Sequence, residues 1–257
     1  MANKPTFIFV PGAWHTASTW EKVTSLLDLQ GYKSTSVTLP STTGDPNATF
    51  LDDLQAVREA ILSETTQGHN VILAVHSYGG HVGESALQAV PTTKNPGPEP
   101  TNGRVIGIAM MATGFNLPNM AFMDGLGGQP PPTWRADTES GFAVFTDNPP
   151  PAELFYHDLP APEAEAWSLK LTKQSLKALF EGGEYAYAGW KDVPCWFLLT
   201  TEDRALPVDM QRMLIGMARE ASGSVEVREI SSGHCPMLSK PEDTANFLVE
   251  AATALSQ

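Results

Sequence analysis

The run Val71-Ile72-Leu73-Ala74-Val75-His76-Ser77-Tyr78-Gly79-Gly80 decides how this chain is read. An apolar, β-branched stretch of strand character stops at a serine, and two glycines open a segment that suits a helix. A strand that reverses sharply into a helix forces its turn residue into strained backbone angles. It lifts that side chain clear of the sheet and tolerates only small neighbours. Ser77 therefore reads as an exposed nucleophile, with Gly79 and Gly80 supplying the room. The competing reading is an ordinary strand-to-helix turn in which Ser77 caps the helix. Partners elsewhere in the chain must separate the two.

Outward from this run, residues 6–10 read as a first buried strand, and 21–30 carry Val23, Leu26, Leu27 and Leu29 at helical spacing up to Gly31. Residues 34–39 follow as a second strand. Over 50–62, Phe50, Leu51, Leu54, Val57, Ile61 and Leu62 share one helical face opposite Asp52, Asp53, Arg58 and Glu59, and Gly68 closes the helix. With a third strand over 71–75, a helix over 80–89 and a fourth strand over 104–112, the alternation predicts a mainly parallel sheet flanked by helices. The Pro- and Gly-rich stretch 91–103 predicts an exposed loop. From 115 to 190 the composition shifts to Met, Phe, Trp and Pro, which predicts a helical cap inserted into a core of 1–114 and 191–257, with helical stretches over 162–173 and 174–180. Alternation resumes with strands over 195–200 and 225–230 and helices over 208–220 and 241–254. No internal repeat is present.

The chain of 257 residues suits one large α/β domain. Its net charge of −13, from 29 acidic and 16 basic residues, opposes binding to nucleic acid or anionic membranes. No segment reaches the ~18 apolar residues of a membrane span, and residues 1–5 lead into the first strand without a signal-peptide pattern. The expectation is a soluble, cytoplasmic protein. Cys195 and Cys235 then read as reduced thiols, with a bridge as the alternative.

Acyl-transfer chemistry needs a base for the serine and a carboxylate to orient that base. Asp203 follows the strand at 195–200, and His234 follows the strand at 225–230. In a parallel sheet all loops after strand C-termini open on one edge, so both can meet Ser77 there. Glu202 and Asp209 are rivals for the acid. Of the other histidines, His76 and His81 read as packing or hydrogen-bonding residues, and His69 as inert at the opposite edge. His157 has no metal partner at ligand spacing, and His15 is a second candidate with a substrate-contact or structural role.

These residues resemble the α/β-hydrolase fold, whose triads run in the order Ser, Asp, His with the serine on a nucleophile elbow. The likeness spans essentially the whole chain. Phe7-Ile8-Phe9-Val10-Pro11-Gly12-Ala13-Trp14-His15 resembles the His-Gly loop of that superfamily, with Pro11 in place of the usual His. By that resemblance the Ala13 and Tyr78 N–H groups form the oxyanion hole. The Gly-Ala-Trp-His and His-Ser-Tyr-Gly-Gly motifs are most similar to the compact plant methyl-ester esterase and hydroxynitrile lyase group and its fungal and bacterial relatives. Val75 departs from the Gly-x-Ser-x-Gly pattern and predicts crowding beneath the elbow. Cys235 stands where hydroxynitrile lyases carry a lysine, which disfavours a lyase.

The resulting expectation is a serine hydrolase acting on a small or medium hydrophobic ester or lactone, without metal or organic cofactor, as a monomer or homodimer. Trp14, His15, Met120, Phe122, Met123, Trp134, Phe142 and Trp190 are the candidate wall residues, each with a cap–core contact as the alternative. Lyase, cyclase or carbon–carbon bond chemistry on the same fold, and a silent hydrophobic-ligand receptor, are the competing functions.

Overall fold

The computed structural model describes residues 4–97, 103–221 and 223–257. The reading of residues 1–3, and of 98–102 within the Pro-rich loop, lies outside the described residues.

Six parallel strands form the main sheet in the order β2 (Ser34–Ser36), β1 (Thr6–Val10), β3 (Val71–His76), β4 (Val105–Met111), β8 (Cys195–Thr200) and β9 (Val225–Ile230). β1, β3, β4 and β8 are buried throughout, as expected of central strands covered on both faces. The second strand is three residues long rather than the six expected; its last bond to β1 is from the Val37 N–H to the Phe9 carbonyl at 2.9 Å, after which the chain leaves β1 for the turn at Pro40–Thr42. Helix α1 (Glu21–Leu29) packs on α9 (Pro241–Leu255), and α2 (Phe50–Thr65) on α3 (Tyr78–Ala86).

Side-chain alternation assigns the two faces. Gly107, in register with Ile72, lies under Leu255 of α9, whereas Val75, three residues along, lies under Gly83 of α3. That second contact accommodates Val75: a Cβ on Gly83 would come 2.6 Å from Val75 Cγ1, so a glycine one helical turn into α3 supplies the space that the consensus glycine provides elsewhere. α2 begins with a capping box between Thr49 and Asp52. The described core is completed by α7 (Val208–Glu220) against β8 and β9, and by the short α8 (Pro236–Ser239).

β4 and β8 are parallel neighbours in the sheet, joined by a long crossover segment. It holds α4 (Pro151–Phe155), α5 (Ala161–Leu169) and α6 (Leu176–Phe180), but it is not purely helical. β5 (Trp134–Asp137), β6 (Phe142–Phe145) and β7 (Gln174–Ser175) make a second, antiparallel sheet. The expected helices over 162–173 and 174–180 are therefore corrected. α5 ends at Leu169, and Gln174 and Ser175 pair with Ala143 and Phe142 before α6 starts.

Candidate active site

Every residue from 71 to 87 is buried except Ser77, which keeps partial exposure. Its backbone stands at φ 51°, ψ −126°, a conformation that costs a non-glycine residue about 1–3 kcal/mol. Trp14, in the loop four residues past β1, and Ala112, directly after β4, also have left-handed φ values of 61° and 48°. Backbone strain thus gathers on one edge of the sheet. Gly79 is required there, because a Cβ would sit 2.4 Å from the Pro11 carbonyl oxygen and 2.5 Å from that of Val10. The Ser77–Tyr78 peptide is fixed through the Ser77 carbonyl, which accepts from the Thr113 hydroxyl at 2.7 Å and the Gly80 N–H at 2.9 Å. Among the described residues, neither the Tyr78 N–H nor the Ala13 N–H donates to another protein group.

His234 Nδ1 lies 2.9 Å from Asp203 Oδ2 and 3.1 Å from Oδ1. The carboxylate also accepts from the Ala205 and Leu206 N–H groups, each at 2.8 Å, and from the Thr200 hydroxyl at 3.0 Å. An acceptor-only partner requires the proton on Nδ1, so Nε2 carries the lone pair. Glu202 bonds to Ser231 and Asp209 reaches towards Arg212 at 3.9 Å, so of the three candidate acids the one beside His234 is Asp203. Ser77 Oγ and His234 Nε2 are not hydrogen-bonded to each other in this structure, and each is without a protein partner among the described residues. Such contacts commonly tighten only with substrate bound.

Two more histidines stand in line with His234. His76 Nε2–H donates to the His234 carbonyl at 2.8 Å, and the two rings lie 4.7 Å apart. His15 Nδ1–H donates to the Ala13 carbonyl at 2.8 Å, so its Nε2 accepts the Tyr156 hydroxyl, also at 2.8 Å. Burial pushes the His15 pKa down to about 4 and that of His76 well below the usual histidine range. Both therefore stay neutral at pH 7 and act as hydrogen-bonding spacers. Burial likewise raises the Cys235 thiol well above its usual range, 3.8 Å from His15 Nε2. Cys195 and Cys235 are both free and buried.

The segment between β4 and β8 closes over this edge. Phe155 of α4 stacks on His234 with ring centroids 5.3 Å apart and also touches His15, Trp14 and Phe145. Trp14 donates from Nε1 to the Ala143 carbonyl at 3.1 Å, and its own carbonyl accepts from the Thr172 N–H at 2.8 Å. Phe122 packs edge-on against Tyr78. Of the expected wall residues, Trp14, His15 and Phe122 therefore meet the elbow or its loops. Trp134 stands behind Trp14, and Phe142 lies in β6 under Lys173. Met123 is buried and bonds through its N–H to the Leu179 carbonyl, while Met120 lies at the Gly183 turn. Trp190 is placed differently: its indole N–H donates to the Asn116 carbonyl at 2.9 Å and its ring packs on Phe115 and Gly223, away from Ser77. Phe145, Phe155 and Tyr156 were not among the wall residues expected from the sequence.

His81 is a packing residue, stacked on Phe50 and bonded to Asn116, while His69 pairs with Glu64 and His157 bonds to the Glu202 carbonyl. Among the described residues, no three His, Cys, Asp or Glu side chains converge as a metal site. No helix of the described residues is long and apolar enough to cross a membrane. A cleft of about 500 Å³ lined by Pro46, Thr138, Leu176, Lys177 and Phe180, among others, contains no residue of the Ser77, Asp203 and His234 set.

Known proteins agree with this architecture. The chain is 27% identical over 253 residues to an alpha/beta hydrolase, nvfD, of Aspergillus novofumigatus, covering 97% of both chains. It is 26% identical over 273 residues to norfluorocurarine synthase 2 of a Strychnos species, again covering 97% of each. The crystal structure of polyneuridine aldehyde esterase superposes with a TM-score of 0.75 at 20% identity, covering 97% of this chain and 100% of that one. The plant enzymes among these accord with the resemblance drawn from the elbow and the Gly-Ala-Trp-His loop. Residues 7–247 match the alpha/beta hydrolase family model, and the chain belongs to that family.

Proposed function

We propose that the chain is a serine hydrolase that cleaves a small or medium hydrophobic ester or lactone through an acyl-enzyme on Ser77. The observation that carries this reading is one partly exposed, strained serine in an otherwise buried run, on the edge where Asp203 orients His234. Ser77 Oγ attacks the carbonyl while His234 Nε2 takes its proton. The carbonyl oxygen becomes an oxyanion facing the Ala13 and Tyr78 N–H groups, and each such donor contributes about 3 kcal/mol in the transition state. His234 returns the proton to the leaving oxygen. Water, activated by the same nitrogen, then attacks the acyl-enzyme and releases the acid. Asp203 holds the Nδ1–H and stabilises the imidazolium in both halves.

Aromatic groups at the site, Phe155, Trp14 and Phe122, favour an apolar acyl or alcohol portion. The two free, buried thiols and the acidic composition fit a reducing, cytoplasmic setting. The relative named as a synthase favours, as second reading, a non-hydrolytic reaction on the same triad. p-Nitrophenyl esters of graded chain length and aromatic lactones, quenched early and read by intact mass spectrometry, separate the readings. An acyl adduct on Ser77, and no turnover in Ser77→Ala, is the expected result. A Ser77 that a fluorophosphonate labels, with neither turnover nor adduct on any ester or lactone, selects the second reading, and ligand binding with Ser77 unreactive selects a receptor.

A further inference from the structure

Asp53, on α2, takes no part in the acyl transfer above, yet its carboxylate is fully buried. Among the described residues no cation reaches it. Oδ1 accepts from the Ser41 N–H at 2.9 Å, and Oδ2 accepts from the Ser41 hydroxyl at 2.6 Å and the Tyr78 hydroxyl at 2.8 Å. A buried carboxylate without a counter-ion costs stability that an apolar residue would not. Burial lifts its pKa to about 6 even against the three hydrogen bonds that oppose the shift. The same burial, then the Asp53 charge, raises the Tyr78 phenol well above its usual range, so Tyr78 keeps its proton and donates it.

Tyr78 is the residue whose peptide N–H faces the proposed oxyanion. The carbonyl end of that peptide is held by Thr113 and Gly80, and the Tyr78 side chain holds its other end. The phenol oxygen also lies 3.3 Å from the Ala178 carbonyl of α6, so it reaches from the elbow both to α2 and to the β4–β8 segment. We infer that Asp53 is a positioning residue which, through the Tyr78 hydroxyl, fixes the Tyr78 N–H on the oxyanion and couples the elbow to α6. The inference rests on the reading of Ser77 as the nucleophile.

The test compares Asp53→Ala, Asp53→Asn and Tyr78→Phe with the wild type on a p-nitrophenyl ester, with kcat counted per active site titrated by a fluorophosphonate. Asp53→Ala and Tyr78→Phe lower kcat at least tenfold, with KM within threefold of wild type. Asp53→Asn stays within about threefold in kcat, because its amide still spans Ser41 and Tyr78 and Tyr78 can donate to Ala178. If Asp53→Ala does not fold, Tyr78→Phe cuts the same tether alone. Wild-type kcat per titrated site in Tyr78→Phe or in a folded Asp53→Ala, or a change confined to KM, overturns the inference while leaving Ser77 as nucleophile. A wild type that the fluorophosphonate does not label overturns both.

Discussion

Replacing Gly83 with alanine tests how the elbow is seated. The added Cβ would lie 2.6 Å from Val75 Cγ1 and 3.8 Å from Leu73 Cδ1. Carbon atoms rest at about 3.5–4.0 Å, so α3 must lift by about 1 Å or the stiff valine must leave its rotamer. Overpacking of this kind costs about 1–3 kcal/mol, and the gain in helix propensity from Gly to Ala returns about 1, for a net loss of about 0–2 kcal/mol. Val75→Ala alone removes two methyl groups worth about 0.8 kcal/mol each and leaves a cavity, so it costs about 2–3 kcal/mol. In the double variant the new methyl enters the vacated space. The summed losses should therefore exceed the loss in the double variant by about 1–3 kcal/mol. Urea unfolding at unchanged m-value gives each number. Because Ser77 immediately precedes α3, Gly83→Ala should also lower kcat about 10- to 100-fold, the cost of a displacement near 1 Å, and Val75→Ala should restore part of it. Additive stabilities, within about 0.5 kcal/mol, would show that Val75 and Gly83 do not share this space.

Two further outcomes follow from the electrostatics. Asp203→Asn keeps an acceptor for the Ala205 and Leu206 N–H groups but no longer dictates the His234 tautomer, so kcat should fall about 10⁴-fold with little change in unfolding midpoint; a loss under tenfold would contradict the assignment. Burial raises the Asp53 pKa from 3.8 to about 6, so the folded chain holds that proton more tightly than the unfolded chain does. The stability this contributes is complete below about pH 4 and lost as pH rises through 6. Relative to Asp53→Asn, the wild type should therefore lose about 2 kcal/mol between pH 4 and pH 7. A difference that stays flat across that range would refute the buried, unpaired carboxylate.

Much of the site was legible because its parts sit at strand ends. The continuous apolar run into Ser77 reads as a buried strand, Asp203 follows the buried β8 and His234 the edge strand β9, so parallel topology alone brings them to one edge. The structure adds a term that pattern reading overlooks. Gly83 looks like a weak point inside a helix, and its purpose appears only when Val75 is seen beneath it. The hairpin of β5 and β6 was missed because each strand has four residues, too few to show a period. Gly141, with φ 76° where the turn meets β6, was the available signal. Phe155 on His234 and Tyr156 on His15 are contacts between the β4–β8 segment and distant loops of the main sheet, which no local pattern encodes. For the same reason composition leaves Trp190 between a cleft wall and a cap–core contact, and it packs on Phe115 and Gly223.

The most direct measurement is covalent labelling of the intact protein with a fluorophosphonate, located by peptide mass spectrometry in the wild type, Ser77→Ala and His234→Ala. One adduct on Ser77, absent in Ser77→Ala and slowed by orders of magnitude in His234→Ala, is the predicted result. Labelling at another residue, or an unchanged rate in His234→Ala, would contradict the assignment of Ser77 as nucleophile and His234 as its base.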